Sequence, residues 1–243
     1  MNILYEDNHI LIVYKSPGTL VQGDRTGNLP LVEEAKQYLK EAYAKPGNVF
    51  CGVVHRIDRP ASGLVIFAKT SKALSRLNDM LRQGRIRKWY LAIVEGKRHN
   101  DREHLTHWLV SDGKTNKTRV VSSTHKDARR AELVYRTLGC GDRYSLLEIE
   151  LLTGRKHQIR CQLSSTGTPI KGDLKYGAKR SNPDGGISLL AYRLQFEHPV
   201  SKKKIDITAP LGEHALWHLG DPLEPWPEAD VAATEFCKTN LND

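Results

Sequence analysis

A chain of 243 residues with 39% hydrophobic and 27% charged side chains has the make-up of a soluble globular protein, with enough apolar mass for one large domain or two small ones. The longest apolar run near its start, Ile10-Leu11-Ile12-Val13-Tyr14, falls far short of the roughly 20 residues that span a bilayer, and the acidic Glu6 and Asp7 precede it, unlike the basic opening of a secretory signal, so no membrane segment is expected and the chain is placed in the cytoplasm. The 37 Lys and Arg against 28 Asp and Glu leave a net charge of +9, which favours a polyanionic partner, nucleic acid first, while four scattered cysteines without C-x-x-C spacing suggest neither a zinc knuckle nor a disulfide framework.

Tyr5 to Tyr14 reads as one strand ending in the turn signal Ser16-Pro17-Gly18, and Pro30 to Ala44 as a helix with Leu31, Ala35, Tyr38 and Leu39 at helical spacing. Gly63 to Ala68 has the continuous apolar character of a buried strand. Ser71 opens a helix in which Leu74, Leu77 and Leu81 recur three and four apart before Gly84. Tyr90 to Val94 is a short β-rich run closed by Gly96, and Ala131 to Leu138 with Tyr144 to Leu152 reads as a hairpin. Thr153-Gly154 marks a strand-to-helix turn, and Arg155 to Thr166 is a short helix closed by Gly167. Leu189 to Phe196 and Lys204 to Thr208 supply the last strands. Many strands, few helices and no regular βαβ alternation predict an α+β fold with a central, largely antiparallel or mixed sheet. Residues 1–215 are expected to form one domain and 216–243, with Trp217, Trp226 and three prolines but no periodicity, a turn-rich tail.

Three polar clusters stand out. His55-Arg56-Ile57-Asp58-Arg59-Pro60-Ala61-Ser62-Gly63 puts a carboxylate between two arginines just before an apolar strand, a setting that favours the ionised form and suits a nucleophile or base. Thr153-Gly154-Arg155-Lys156-His157-Gln158-Ile159-Arg160 stands at a predicted helix start, where free amides and a positive dipole end can hold phosphate. Arg160, about one turn beyond Lys156, can reach a buried partner. Gln83-Gly84-Arg85-Ile86-Arg87-Lys88-Trp89-Tyr90 interleaves basic and aromatic residues, as proteins do to hold a splayed base and its flanking phosphates. On local features alone, a loop salt bridge, a solvated helix face and a core aromatic explain each cluster better.

Together, and in this order, the clusters resemble the signature of the RluA-type RNA pseudouridine synthases. His55-Arg56-Ile57-Asp58 with Ser62-Gly63-Leu64 is similar to the family's catalytic motif, Lys88-Trp89-Tyr90-Leu91-Ala92 to its tyrosine motif and Gly154 to Arg160 to its arginine motif. Tyr5-Glu6-Asp7 through Gly18, Gly167-Thr168-Pro169-Ile170 with Gly172-Asp173 and Tyr176-Gly177, and Leu190 to Leu194 with His198-Pro199 agree. The resemblance runs from about residue 3 to 211. It implies an isomerase that turns selected uridines into pseudouridine in structured RNA, ribosomal RNA in preference to transfer RNA, by flipping the target base.

By the same resemblance Asp58 is the essential carboxylate, attacking the sugar or the base covalently or removing a ribose proton to give a glycal. Tyr90 would stack on the uracil and take the final ring proton, and Arg160 would pair with Asp58. Arg56 would fill the gap left by the flipped base, Ile159 would line the pocket, and Arg155, Lys156, Arg87 and Lys88 would contact RNA. His55 would support the loop. No cofactor and no metal is implied, and the sequence offers neither a metal-ligand cluster nor a nucleotide-phosphate loop. Ala61 stands where the family usually has threonine, a change that removes no reactive group. The chain opens directly on the catalytic domain, without the N-terminal RNA-binding domain that many relatives carry, so substrate choice is expected to lie in this domain, acting as a monomer. A non-catalytic RNA-binding assembly factor with the same fold is the competing reading, and a metal-dependent nuclease a distant third.

Overall fold

The structure is a computed structural model that describes residues 1–23, 27–98 and 102–220. Its centre is one 11-stranded sheet ordered β1-β2-β4-β10-β5-β9-β8-β6-β7, with β11 on β10 and β3 on β4. The strands are β1 (Asn2–Glu6), β2 (Ile10–Lys15), β3 (Gly52–Val53), β4 (Ser62–Ala68), β5 (Arg87–Glu95), β6 (Arg102–Asp112), β7 (Lys117–Val121), β8 (Arg129–Cys140), β9 (Tyr144–Leu151), β10 (Leu189–Glu197) and β11 (Lys204–Thr208). The pairing of β10 with β4 is parallel and the others are antiparallel, so the mixed α+β architecture expected from the sequence is the one observed. Gly63 belongs where β4 meets β10, because it has φ 114° and a β-carbon there would stand 2.3 Å from the carbonyl oxygen of Ala191.

Strand alternation gives the sheet two buried faces. In β2, Leu11 and Val13 join Val65, Phe67, Ala92 and Ile149 on the first face, while Ile10 and Ile12 join Leu64, Ile66, Leu91 and Ile93 on the second. Each of these Val, Leu, Ile and Phe side chains contributes about 1.5–3 kcal/mol by leaving water. Helices α1 (Leu31–Ala42) and α3 (Gln158–Ser165) cover the first face. Helix α2 (Ser71–Arg82) covers the second, with Ala73, Leu77 and Met80 inward, and Thr70 caps its start by accepting a hydrogen bond from Ala73 N.

The structure corrects several sequence expectations. Tyr5 to Tyr14 is not one strand but the hairpin β1–β2. The Asp7 carboxylate accepts hydrogen bonds from His9 N and Ile10 N at 2.7 and 2.9 Å and bends the chain. Strands β6 and β7 are not anticipated at all, because β6 buries only Leu105 and Leu109 among exposed and half-buried residues and carries no strong alternation. Helix α3 starts at Gln158 rather than Arg155. Of the expected tail, Leu216, Trp217 and Leu219 pack against the second face, and residues 221–243 lie outside the described residues. No helix among the described residues is long and apolar enough to cross a membrane.

Candidate active site

Asp58 sits in the connection between β3 and β4, on the first face, flanked by the buried Ile57 and Ala61. Two devices fix this loop. Ala61 N closes a turn onto Asp58 O at 3.0 Å. Lys15, fully buried at the end of β2, donates from Nζ to the carbonyls of Ser16, Thr19 and Arg59 at 3.0, 3.0 and 3.1 Å. Burial lowers the Lys15 ammonium to about 8, against the opposing pull of the Asp58 charge. On the far side of the loop, His55 Nε2 accepts a hydrogen bond from Ile66 N at 3.2 Å. Burial, aided by the charge of Lys88, depresses this imidazole to about 3 and keeps it neutral.

The arginine cluster reaches the loop from α3. Thr153 Oγ1 and Arg155 N both donate to Gln158 Oε1, at 2.8 and 2.9 Å, and Gln158 Nε2 donates to Glu132 O at 2.9 Å. The Arg155 amide is therefore engaged by the protein and does not offer the free phosphate-binding donor that the sequence suggested. Beyond this staple, Arg160 is buried and bridges two carboxylates. Its Nη1 donates to Asp58 Oδ2 at 3.0 Å, and Nε and Nη2 donate to Asp173 at 2.6 and 2.8 Å. Burial alone would lower this guanidinium's pKa, but the hydrogen bonds and charges of Asp173 and Asp58 more than offset it and raise it. Asp173 is fully buried, whereas the Asp58 side chain is 25% exposed. Asp58 thus keeps one oxygen on a fixed cation while its side chain stays partly open to solvent.

The remaining expected residues divide by geometry. Tyr90 on β5 lies on the first face with Ile149, Ile159 and Ala191, and burial first, then the Asp58 charge, raises its phenol. Lys88, two residues earlier and so on the same side, has its ammonium near the Gly154 backbone and lowered by burial. Arg56 is exposed and without an ion pair among the described residues. Arg155 is exposed and donates from Nε to Arg130 O at 3.0 Å. With Lys156, Arg129, Leu109 and Ser111 it lines an open cleft of about 430 Å³ that Asp58 does not line. Arg87 is the exception. Strand parity turns it to the second face, where Nε donates to Glu150 at 2.8 Å and the guanidinium stacks 4.5 Å from the Trp89 ring centroid, so it does not join the site.

Sequence reasoning gave no role to Asp173, Lys15 or the pair His157 and Tyr176. The spacing of Gly172-Asp173 carried no local signal, because the partner lies on another element. Lys15 was hidden in an apolar strand, where a lysine reads as the exposed end. Among the described residues no group of three or more His, Cys, Asp or Glu side chains is placed to hold a metal ion.

The model of the RNA pseudouridylate synthase family matches residues 9–165 of this chain. The chain is 32% identical over 218 residues to the ribosomal large subunit pseudouridine synthase C of Vibrio cholerae, covering 87% of this chain and 66% of that protein. It is 34% identical over 232 residues to the RNA pseudouridine synthase YhcT of Bacillus subtilis, covering 86% and 68%. The chain therefore spans about two thirds of the length of these relatives. Among solved structures, human RNA Pseudouridylate Synthase Domain Containing 4 shares the fold, with a TM-score of 0.73 at 20% identity over 87% of this chain and 89% of that one.

Proposed function

The chain belongs to the RNA pseudouridylate synthase family, and from that premise we propose that it isomerises uridine to pseudouridine in ribosomal RNA, with Asp58 as the reacting carboxylate. The observation that carries this reading is the half-satisfied Asp58: Arg160 holds Oδ2 at 3.0 Å while the side chain stays 25% exposed at the first face. A carboxylate kept only for folding would be closed over, as Asp173 is. The reaction breaks the bond from uracil N1 to ribose C1′, turns the base, joins C5 to C1′, releases the C5 proton and places a proton on N1, so atoms and electrons balance without an oxidant or reductant.

Each side chain has a task suited to its setting. Asp58 drives the first cleavage, held by Arg160 in place of water. Tyr90 stacks on the flipped uracil. Its phenol is protonated at rest, so its oxygen takes the C5 proton by passing its own hydrogen toward Asp58. Arg56, two residues from Asp58, exposed and without an ion pair among the described residues, fills the space vacated in the stack. Lys88, Arg155 and Lys156 contact phosphates along the strand. Ribosomal RNA is favoured because the Vibrio relative bears the large ribosomal subunit in its name, and the +9 charge suits any long RNA.

The test is chemical. Unmodified large-subunit ribosomal RNA transcribed with tritium at uracil C5 is incubated with the purified chain, and tritium in water is counted. Stoichiometric release with pseudouridine in the digest is expected. RNA binding without release would favour an assembly factor.

A further inference from the structure

His157 takes no part in the chemistry assigned so far, yet its ring is held beside Asp58. Its backbone is left-handed, with φ 51° and ψ 26°, at the position that precedes α3, a conformation that a residue with a β-carbon adopts only where its surroundings enforce it. The imidazole Nε2 lies 4.0 Å from Asp58 Oδ2, the same oxygen that Arg160 Nη1 holds at 3.0 Å. On the other side of the ring, Nδ1 is 2.9 Å from the Tyr176 hydroxyl oxygen, with the two rings edge to face.

The hydrogen-bond partners of Tyr176 suit one tautomer of His157. Tyr176 is buried among Leu109, Ala131 and Cys161, with the Arg160 guanidinium 4.9 Å from its ring centroid. Its hydroxyl oxygen accepts Thr118 N–H at 2.8 Å. The oxygen thus accepts from Thr118 N, which leaves the hydroxyl hydrogen able to point to His157 Nδ1. A neutral imidazole that accepts at Nδ1 carries its proton on Nε2. Burial, reinforced by Arg160 and nearby lysines and opposed by Asp58, lowers His157 to about 4 and keeps it neutral.

Resting on the reading of Asp58 as the reacting carboxylate, we propose that His157 is a positioning residue, oriented by Tyr176, whose Nε2–H joins Arg160 in holding Asp58 Oδ2 so that Oδ1 is the oxygen presented to the substrate. The 4.0 Å approach shortens when RNA closes the site, as catalytic hydrogen bonds commonly do. Edge strand β7, which carries Thr118, thereby sets a tautomer at the reacting group.

Two measurements on the full chain test this. Nitrogen-15 NMR of the histidine rings at neutral pH should show His157 protonated at Nε2 and bare at Nδ1, and Tyr176→Phe should shift it toward a tautomer mixture. Single-turnover release of C5 tritium from the ribosomal transcript should slow about tenfold to a hundredfold in His157→Asn, the scale of a small misplacement of a reacting group. Asparagine tolerates the left-handed backbone, so melting temperature and RNA affinity should hold, and His157→Gln, whose amide reaches further, should recover part of the rate. A proton on Nδ1, or a wild-type rate in His157→Asn, overturns the proposal. The tautomer is read without substrate, so a wild-type protein with the expected proton but no tritium release overturns the enzyme reading and the assigned purpose with it.

Discussion

The second face of the sheet and the Asp58 site on the first treat charge in opposite ways. On the second face anions have their own cations: Glu150 with Arg87 at 2.8 Å and Glu148 with Arg136 at 2.7 Å. On the first face one guanidinium serves two carboxylates, and Lys88 makes no ion pair among the described residues. Completed pairs hold strands together, whereas an incomplete one leaves a lone pair and a charge for a ligand to meet. Under the proposed function, the difference separates groups that serve the fold from groups that would serve the reaction.

The sharpest way to break this comparison is to remove one carboxylate charge from each face. Asp58→Asn should lower single-turnover tritium release by at least about a thousandfold, the scale seen when a reacting group is deleted, with an unchanged melting curve. Glu150→Gln should do the reverse, lowering stability and sparing the rate of folded protein. Next in size is Arg160→Ala, which strands the fully buried Asp173 and should cost about 3–5 kcal/mol in urea unfolding. Arg87→Ala, whose side chain is 36% exposed, should cost about 0–1 kcal/mol. Adding Asp173→Asn to Arg160→Ala should restore stability, and adding Asp58→Asn should not, because the stranded charge is the buried one.

Acid sharpens the contrast further. His55 and His157 are neutral in the fold, lowered to about 3 and about 4 from 6.5. The unfolded chain takes up their protons first, so stability is complete above pH about 6.5 and falls as the pH drops toward 4 and then 3. The partly buried His55 contributes to this loss, and His55→Gln should flatten urea-derived stability between pH 7 and 4.5. Tyr90 yields the smallest predicted effect. Tyr90→Ala should weaken RNA binding by about 1–3 kcal/mol, whereas Tyr90→Phe should keep affinity and slow tritium release. A wild-type rate in Tyr90→Phe would leave only the stacking role.

The loop around Asp58 was legible because its polar residues are contiguous and run straight into the apolar strand Leu64 to Ala68. Its pairing with Arg160 could be guessed from motif order, but the third member, Asp173, could not, since the contact joins elements with no shared period. Parity explains Arg87: the sequence placed it beside Lys88 and Tyr90, and only the sheet shows that neighbours on a strand face opposite ways. Strands β6 and β7 escaped notice because an edge hairpin with half-buried residues on both sides gives no clean alternation. The turn at Asp7 escaped for a different reason. A single side chain accepting two amides bends a run whose apolar residues continue on either side.

On the proposed function, this chain makes pseudouridine in ribosomal RNA through Asp58. Pseudouridines in the large-subunit RNA should be mapped at nucleotide resolution in cells with the wild-type gene, without it, and with an Asp58→Asn allele expressed at equal protein level. One or more sites should vanish in the deletion, stay absent with Asp58→Asn and return with the wild-type gene. Sites restored by the Asp58→Asn protein would contradict the account, as would an unchanged map in the deletion.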